Sequence, residues 1–350
     1  MDSVYFLGAN TPQGFYSLFK ELYNPYDKWE MYIIKGGPGT GKSTLMKQVA
    51  QKAAEKGIAV DRIPCSSDPN SLDGIIIPSL KIAMCDGTSP HIVEPVFPGV
   101  CEHLINLSEC WDKNKLKDNA SKIKLISMTN SSAHQKCLKY LKTAKLIDDE
   151  LSRYIMPAVN HEKIKRFTER LTELKYDKAG ESVQKTRFLS ALTPIGININ
   201  YDTFKNDCDK IIKIKDSHNI SHIIIKSILK DFDRSIIKYN CPLEPESKTE
   251  HIIFTDIKLG IFTSNIYHPM KEKTYKTVST DRFIDKDILN EHKSTIAFLN
   301  KTKSEMINEA ILSLQTAKAS HDILESYYIE AMDFDKVNNI KEKTINEIFN

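Results

Sequence analysis

The sequence predicts an α/β fold, internally duplicated, in which each half carries a sheet with flanking helices and a helical cap or hairpin. Three observations point there. Short apolar runs of strand length alternate with helix-period segments in the first hundred residues. A glycine-rich loop joins one such strand to one such helix without a gap. Phrases of the first half then return in the second at a nearly constant separation.

The loop comes first because it fixes a ligand class. Trp29 to Ile34 reads as a buried strand, and Lys42 to Lys56 as a helix of good formers closed by Gly57. Between them the chain matches G-x-x-x-x-G-K-[ST] in full, with glycines at 36, 37, 39 and 41. Glycine permits positive φ, so successive backbone N–H groups and the positive end of the helix can converge on phosphate oxygens. A Mg·ATP-type polyphosphate is the expected guest. Gly37, Pro38, Gly39, Thr40, Gly41, Lys42, Ser43 and Thr44 form the candidate cofactor-binding set. Lys42 would reach the β- and γ-phosphates, Ser43 would ligate Mg²⁺, and Thr44 would support the helix start. A glycine turn carrying Lys-Ser by chance would not explain the strand and helix on either side.

Composition bounds the rest. A chain of 350 residues that is 41% hydrophobic and 27% charged suits two globular domains, which we place at 1–178 and 187–350. With 49 basic and 46 acidic residues the net charge is +3, so no global field argues for nucleic acid or an anionic membrane. Seven cysteines lie scattered with no C-x-x-C pair, which disfavours a zinc ribbon and reads as reduced thiols. The N-terminus lacks a basic region followed by an apolar segment, and no apolar run approaches the ~20 residues needed to span a bilayer. A cytoplasmic location is the expectation.

In chain order, Tyr5 to Phe15 reads as a short strand and a Thr-Pro-x-Gly turn, followed by a helix to about Tyr23. Ile58 to Cys65 is a second strand, and Ser66 to Ser71 a polar turn cluster. Leu80 to Asp86 is an apolar segment ending on an acid, which is what a Walker-B strand needs if Asp86 is to hold Mg²⁺ beside Ser43. Its plain alternative is a turn aspartate before Gly87, and Asp73 before Gly74 is the competing acid. His91 and Glu94 follow the strand's carboxyl end, where α/β sheets place ligand contacts. Either could orient an attacking water or touch the γ-phosphate, against the bland reading of a hydrogen-bonded structural histidine. No acid directly follows Asp86. The candidate catalytic set is Lys42, Asp86 and His91.

From Cys101 to Lys175 the pattern turns helical. Leu138, Leu141, Ala144, Ile147, Leu151 and Tyr154 form an apolar stripe, and a hairpin or cap beside the sheet is expected. Phe188 to Gly196 then restates Phe6 to Gly14 at 188 − 6 = 182 positions, and Thr316-Ala317-Lys318 restates Thr143-Ala144-Lys145 at 316 − 143 = 173. Cys241 answers Cys65, and His268 falls where His91 does, with a linker near Tyr176 to Ser182. Opposite Ile33 to Thr44 the second half reads Ile211 to His222, with no glycine, Ile220 at the place of Lys42 and Thr263 at that of Asp86. A degenerate second site is therefore expected. His218 and His222 are four apart, but no further ligand motif accompanies them.

The chain resembles bacterial tandem P-loop ATPase-like proteins of unassigned function. The likeness rests on ANTPQGF, IIKGGPGTGKSTLMK, CSSDPNSLDGIIIPSLKIAMCDGTSPH and AKASHDILESYYIEAMDF, and spans nearly the full length. It implies the fold and ATP binding, and names no substrate. In similar proteins the second half often has its own intact P-loop, from which this sequence departs at Ile214 to Ser221. The expected function is an ATP-binding P-loop NTPase that hydrolyses ATP with Mg²⁺ at one N-terminal site. The alternatives are a nucleotide-dependent switch read by a protein partner, and a small-molecule kinase.

Overall fold

The computed structural model describes residues 2–171, 182–231 and 234–349, so residues 176–181 of the expected linker lie outside the described residues. The first half runs β1 (Gly8–Thr11), β2 (Gly14–Ser17), β3 (Glu30–Lys35), α1 (Lys42–Glu55), β4 (Asp61–Pro64), β5 (Leu72–Ile77), β6 (Ile82–Asp86) and β7 (Glu102–Asn106). Helices α2 (Lys113–Asp118), α3 (Ala120–Ile155) and α4 (His161–Glu169) follow. The second half runs β8 (Gln184–Arg187), β9 (Ser190–Thr193), β10 (Gly196–Ile199), α5 (Tyr201–Asn206), β11 (Lys210–Lys215), α6 (Ser221–Asp231), β12 (Ile236–Cys241), β13 (Glu244–Phe254), β14 (Leu259–Ser264) and β15 (Lys276–Ser279). It continues with α7 (Lys286–Glu291), α8 (Lys293–Ala331) and α9 (Phe334–Phe349).

The two large sheets have the same order and directions. In the first, β7, β3, β6, β5 and β4 are neighbours, with β3 parallel to β6 and β7, and the β6–β5 and β5–β4 pairs antiparallel. In the second, β15, β11, β14, β13 and β12 repeat this, and β8 adds a parallel edge strand. Ile34 lies beside Asp86 as Ile214 lies beside Thr263. Leu45, Met46, Val49, Ala50 and Ala53 form the buried stripe of α1 against one face of the first sheet. The opposite faces of both sheets join one core, in which Ile33, Ile63 and Cys85 meet Ile237, Ile253 and Phe262 through Tyr5, Leu7, Leu189 and Phe204.

Three expectations change. The segment after Thr11 is a β-hairpin rather than a helix to Tyr23: Gly14 takes φ +125, Thr11 Oγ1 donates to its carbonyl, and Phe15 lies over Gly8, where a Cβ would meet its ring at 2.3 Å. The same turn recurs at Thr193 and Gly196. The stretch after Cys101 begins with a strand, β7, whose first residue Glu102 is buried and accepts from Phe97 N and Tyr23, so a charge hides the alternation. The long helices are not hairpins within their own halves. α3 and α8 lie antiparallel on each other, with Asn130 Nδ2 donating to Ala317 O at 2.7 Å and Asp148 paired to Lys303.

The ends of that helix pair are tied by matched backbone bonds. Asp112 N donates to Ala331 O and Asp333 N to Cys110 O, while Asp285 N donates to Ala158 O and Asn160 N to Phe283 O, at 2.7–2.8 Å. The tie sends each following helix across to the other half. α4 packs beside α6 on the second sheet, and α9 packs beside α1 on the first. The segments before and after the expected linker thus each supply a sheet, and each sheet is packed in part by a helix of the other segment.

Candidate functional site

The loop from Gly36 to Gly41 leaves the carboxyl end of β3 and enters α1. Gly39 (φ +67) and Gly41 (φ +90) hold left-handed backbone, and a Cβ on Gly39 would come within 3.0 Å of Glu325 O. Gly41 caps α1 without any side-chain hydrogen bond to the first turn, so these donors are not taken up by a capping residue. Thr40, 1% exposed, donates from Oγ1 to Gly37 O and pins the loop. Lys42 Nζ donates to Gly36 O (3.0 Å) and Gly37 O (2.7 Å) and lies 3.6 Å from Asp86 Oδ2. Ser43 Oγ accepts from Leu72 N, and Asp86 Oδ1 accepts from Thr88 N.

All the residues singled out from the sequence, Gly37 to Thr44, Asp86 and His91, line one cavity of about 730 Å³. That size suits a nucleotide-scale ligand. Asp73 lines it too, but is turned to His91, with Oδ2 at 3.1 Å from Nε2. Burial pulls the His91 imidazole down and the adjacent Asp73 outweighs it, leaving its pKa above the ordinary value. Phe15 and Phe19 flank the ring. Glu94 is not among the lining residues; it pairs with Lys35 at 3.1 Å.

About a third of the lining, ten residues of 31, comes from three helices whose part in the site sequence reasoning missed. Asn130 and His134 of α3, Lys318, His321 and Glu325 of α8 and Lys341 of α9 complete its wall. Glu325 Oε1 accepts the N–H of Gly39 at 3.1 Å. Lys341 is 6% exposed, its pKa is lowered by burial, and its ammonium lies 3.5 Å from where a Cβ on Gly41 would stand. No ion pair of Lys341 is found among the described residues. No local pattern marks these side chains, because they belong to amphipathic helices that begin 120 − 42 = 78 (α3), 293 − 42 = 251 (α8) and 334 − 42 = 292 (α9) positions after the start of α1.

In the second half the alignment of the loop shifts. Ile214 and Lys215 still belong to β11, the loop is Asp216 to Ile220, and α6 begins at Ser221, so Ser221 and not Ile220 takes the helix-start place of Lys42. This loop is five residues long against six in the first half, a difference that the sequence hides because its flanking isoleucines can be slid against one another. His218 is turned onto Asp281 at 2.8 Å.

No protein-family model, curated protein or solved structure matches the chain. Among the described residues, no helix is long and apolar enough to cross a membrane.

Proposed function

We propose that the chain is an internally duplicated P-loop NTPase that binds one Mg·ATP in this cavity and hydrolyses it. The observation that carries the reading is the glycine loop feeding an uncapped helix start, with Lys42 and Asp86 facing each other across it. Backbone N–H groups would hold the β-phosphate, Lys42 and Lys341 would neutralise the outer phosphates, and Ser43 and Asp86 would carry Mg²⁺. Lys42 would exchange its loop carbonyls for phosphate oxygens as the ligand enters.

One observation favours the switch reading as a second. Glu325 holds the Gly39 N–H, a donor that a bound phosphate would also claim. Arrival of nucleotide would expel the carboxylate and load α8, which is paired along its length with α3. Titration calorimetry and phosphate release separate these readings. The expected result is one ATP per chain with Mg²⁺-dependent phosphate release, both lost in Lys42→Ala while the circular dichroism is kept. Asp86→Asn should lose the metal-dependent part of the affinity and Asp73→Asn should keep it. Wild-type hydrolysis by Lys42→Ala would overturn the site, tight binding with no turnover would leave the switch, and ADP formed only with an added acceptor, the phosphoryl group ending on that acceptor, would mean a kinase.

A further inference from the structure

We infer that Cys65, Asp73 and His91 form a site for one zinc-class divalent cation at the edge of the cavity, separate from the Mg²⁺ position at Ser43 and Asp86. The three come from different elements: Cys65 follows β4, Asp73 is in β5, and His91 follows β6. Their candidate ligand atoms all lie within 4.8 Å of one another, and His91 Nε2 is already 3.1 Å from Asp73 Oδ2. A tetrahedron with bonds of about 2.0–2.3 Å has edges of roughly 3.3–3.8 Å. Closing on an ion needs only a small inward shift of the sulfur.

The donor set selects the ion. One thiolate, one imidazole and one carboxylate suit zinc, whereas Mg²⁺ and Ca²⁺ prefer all-oxygen shells. Thiolate and carboxylate together cancel a divalent charge, which suits a place where Asp73 and His91 are 3% and 4% exposed. Ser67 N donates to Cys65 Sγ at 3.4 Å, the kind of outer contact that steadies a metal-bound thiolate. Because all three residues line the cavity, a fourth position is open to water.

The second half offers a comparison. Cys241 ends β12, Glu250 lies in β13 and His268 follows β14, with His268 Nε2 at 3.8 Å from Glu250 Oε2. The same residue classes sit on the same elements beside a loop with no glycine. There Ser190 Oγ holds His268 Nε2 at 2.8 Å, which makes that trio the internal control.

Cobalt(II) added to the full chain and followed by desalting tests the inference. One cobalt per chain is expected, with a sulfur-to-cobalt charge-transfer band that vanishes in Cys65→Ser and persists in Cys241→Ser. The band should also persist in Lys42→Ala, which separates failure here from failure of the nucleotide reading. No retained cobalt, or a band indifferent to Cys65→Ser, would overturn the site. Should Cys65→Ser misfold, thiol alkylation of the wild type decides: one equivalent of zinc should shield Cys65 and spare the labelling of Cys208, and equal labelling of Cys65 with and without zinc counts against the site.

Discussion

Two helices in this chain begin where a parallel strand ends, and their first turns are satisfied in opposite ways. At α6 the buried carboxylate of Asp216 accepts from His218 N (3.2 Å), Ile220 N (3.1 Å) and Ser221 N (2.9 Å). At α1 no side chain bonds the first turn; in the loop before it only Gly39 N meets a carboxylate, that of Glu325, and Gly39 and Gly41 take left-handed backbone. A helix start favours negative charge in either case. The second loop carries its own anion inside it, and the first leaves the N–H groups at its helix start without a side-chain acceptor.

The coverings of the two loops differ in the same sense. Over the first, Glu325 accepts from Gly39 N and lies 3.9 Å from His321 Nε2, and Lys341 stands without an ion pair among the described residues. Over the second, Asp148 of α3 accepts from Asn219 Nδ2 and is paired to Lys303, with Lys248 at 4.0 Å and bonded to Asn219 Oδ1. Every partner there is supplied by the chain. The second loop is a closed polar knot, and the first is an open one.

Breaking the knot should have the largest effect on stability. Asp148→Asn strands two lysines, each 7% exposed, and should cost about 3 kcal/mol in urea unfolding at neutral pH. Burial pushes the Asp148 carboxyl up, but Lys303 and Lys248 outweigh it and hold it below the ordinary value. A depressed folded pKa adds stability above the unfolded value of about 3.9, and this is lost as pH falls through the folded value. The gap between wild type and variant should thus be full at pH 7 and close in acid below about pH 4. A gap that is absent at neutral pH would mean the knot is not a pin.

Removing the internal anion comes next. Asp216→Ala leaves the α6 donors unmet and should cost about 2 kcal/mol, while Asp216→Asn, whose amide oxygen still accepts, should cost less. Neither should change the ATP stoichiometry. A second ATP bound by Asp216→Ala would erase the distinction between the loops, since it would show that glycine is not what the second one lacks.

The smallest effect sharpens the open loop. Lys341→Met keeps the stem and removes the ammonium over Gly41, so ATP affinity should fall about tenfold, or ~1.4 kcal/mol. The melting temperature without nucleotide should hold or rise, because an ammonium held in a buried place no longer has to be kept there. Unchanged affinity would place Lys341 outside the phosphate contacts.

What the sequence revealed and concealed follows from how local each signal is. The strand, glycine loop and helix around Lys42 are written in consecutive residues, and Asp86 ends an apolar run, so both were legible. The segment Phe15 to Tyr23 reads as a helix because it is apolar enough to pass for one, whereas the turn at Gly14 and the ring of Phe15 over Gly8 set the strand pairing. Strand β7 was hidden by Glu102, a buried charge whose partners, Tyr23 and Phe97, lie outside the strand. The crossing of α4 and α9 depends on four backbone bonds between distant segments, which no periodicity encodes.

That crossing has a consequence for how the molecule is made. The residue that opens α1 is synthesised 334 − 42 = 292 positions before the first residue of α9, the helix that covers it. Through that interval the apolar flank of α1 that Ile345 and Ile348 will cover has no partner, and the nascent first half must wait for a distant segment. Lys341 reaches Gly41 only at the end. The loop can therefore be finished only on a molecule whose translation has run through α9, and a chain released earlier would carry the whole glycine motif yet lack the wall that closes it.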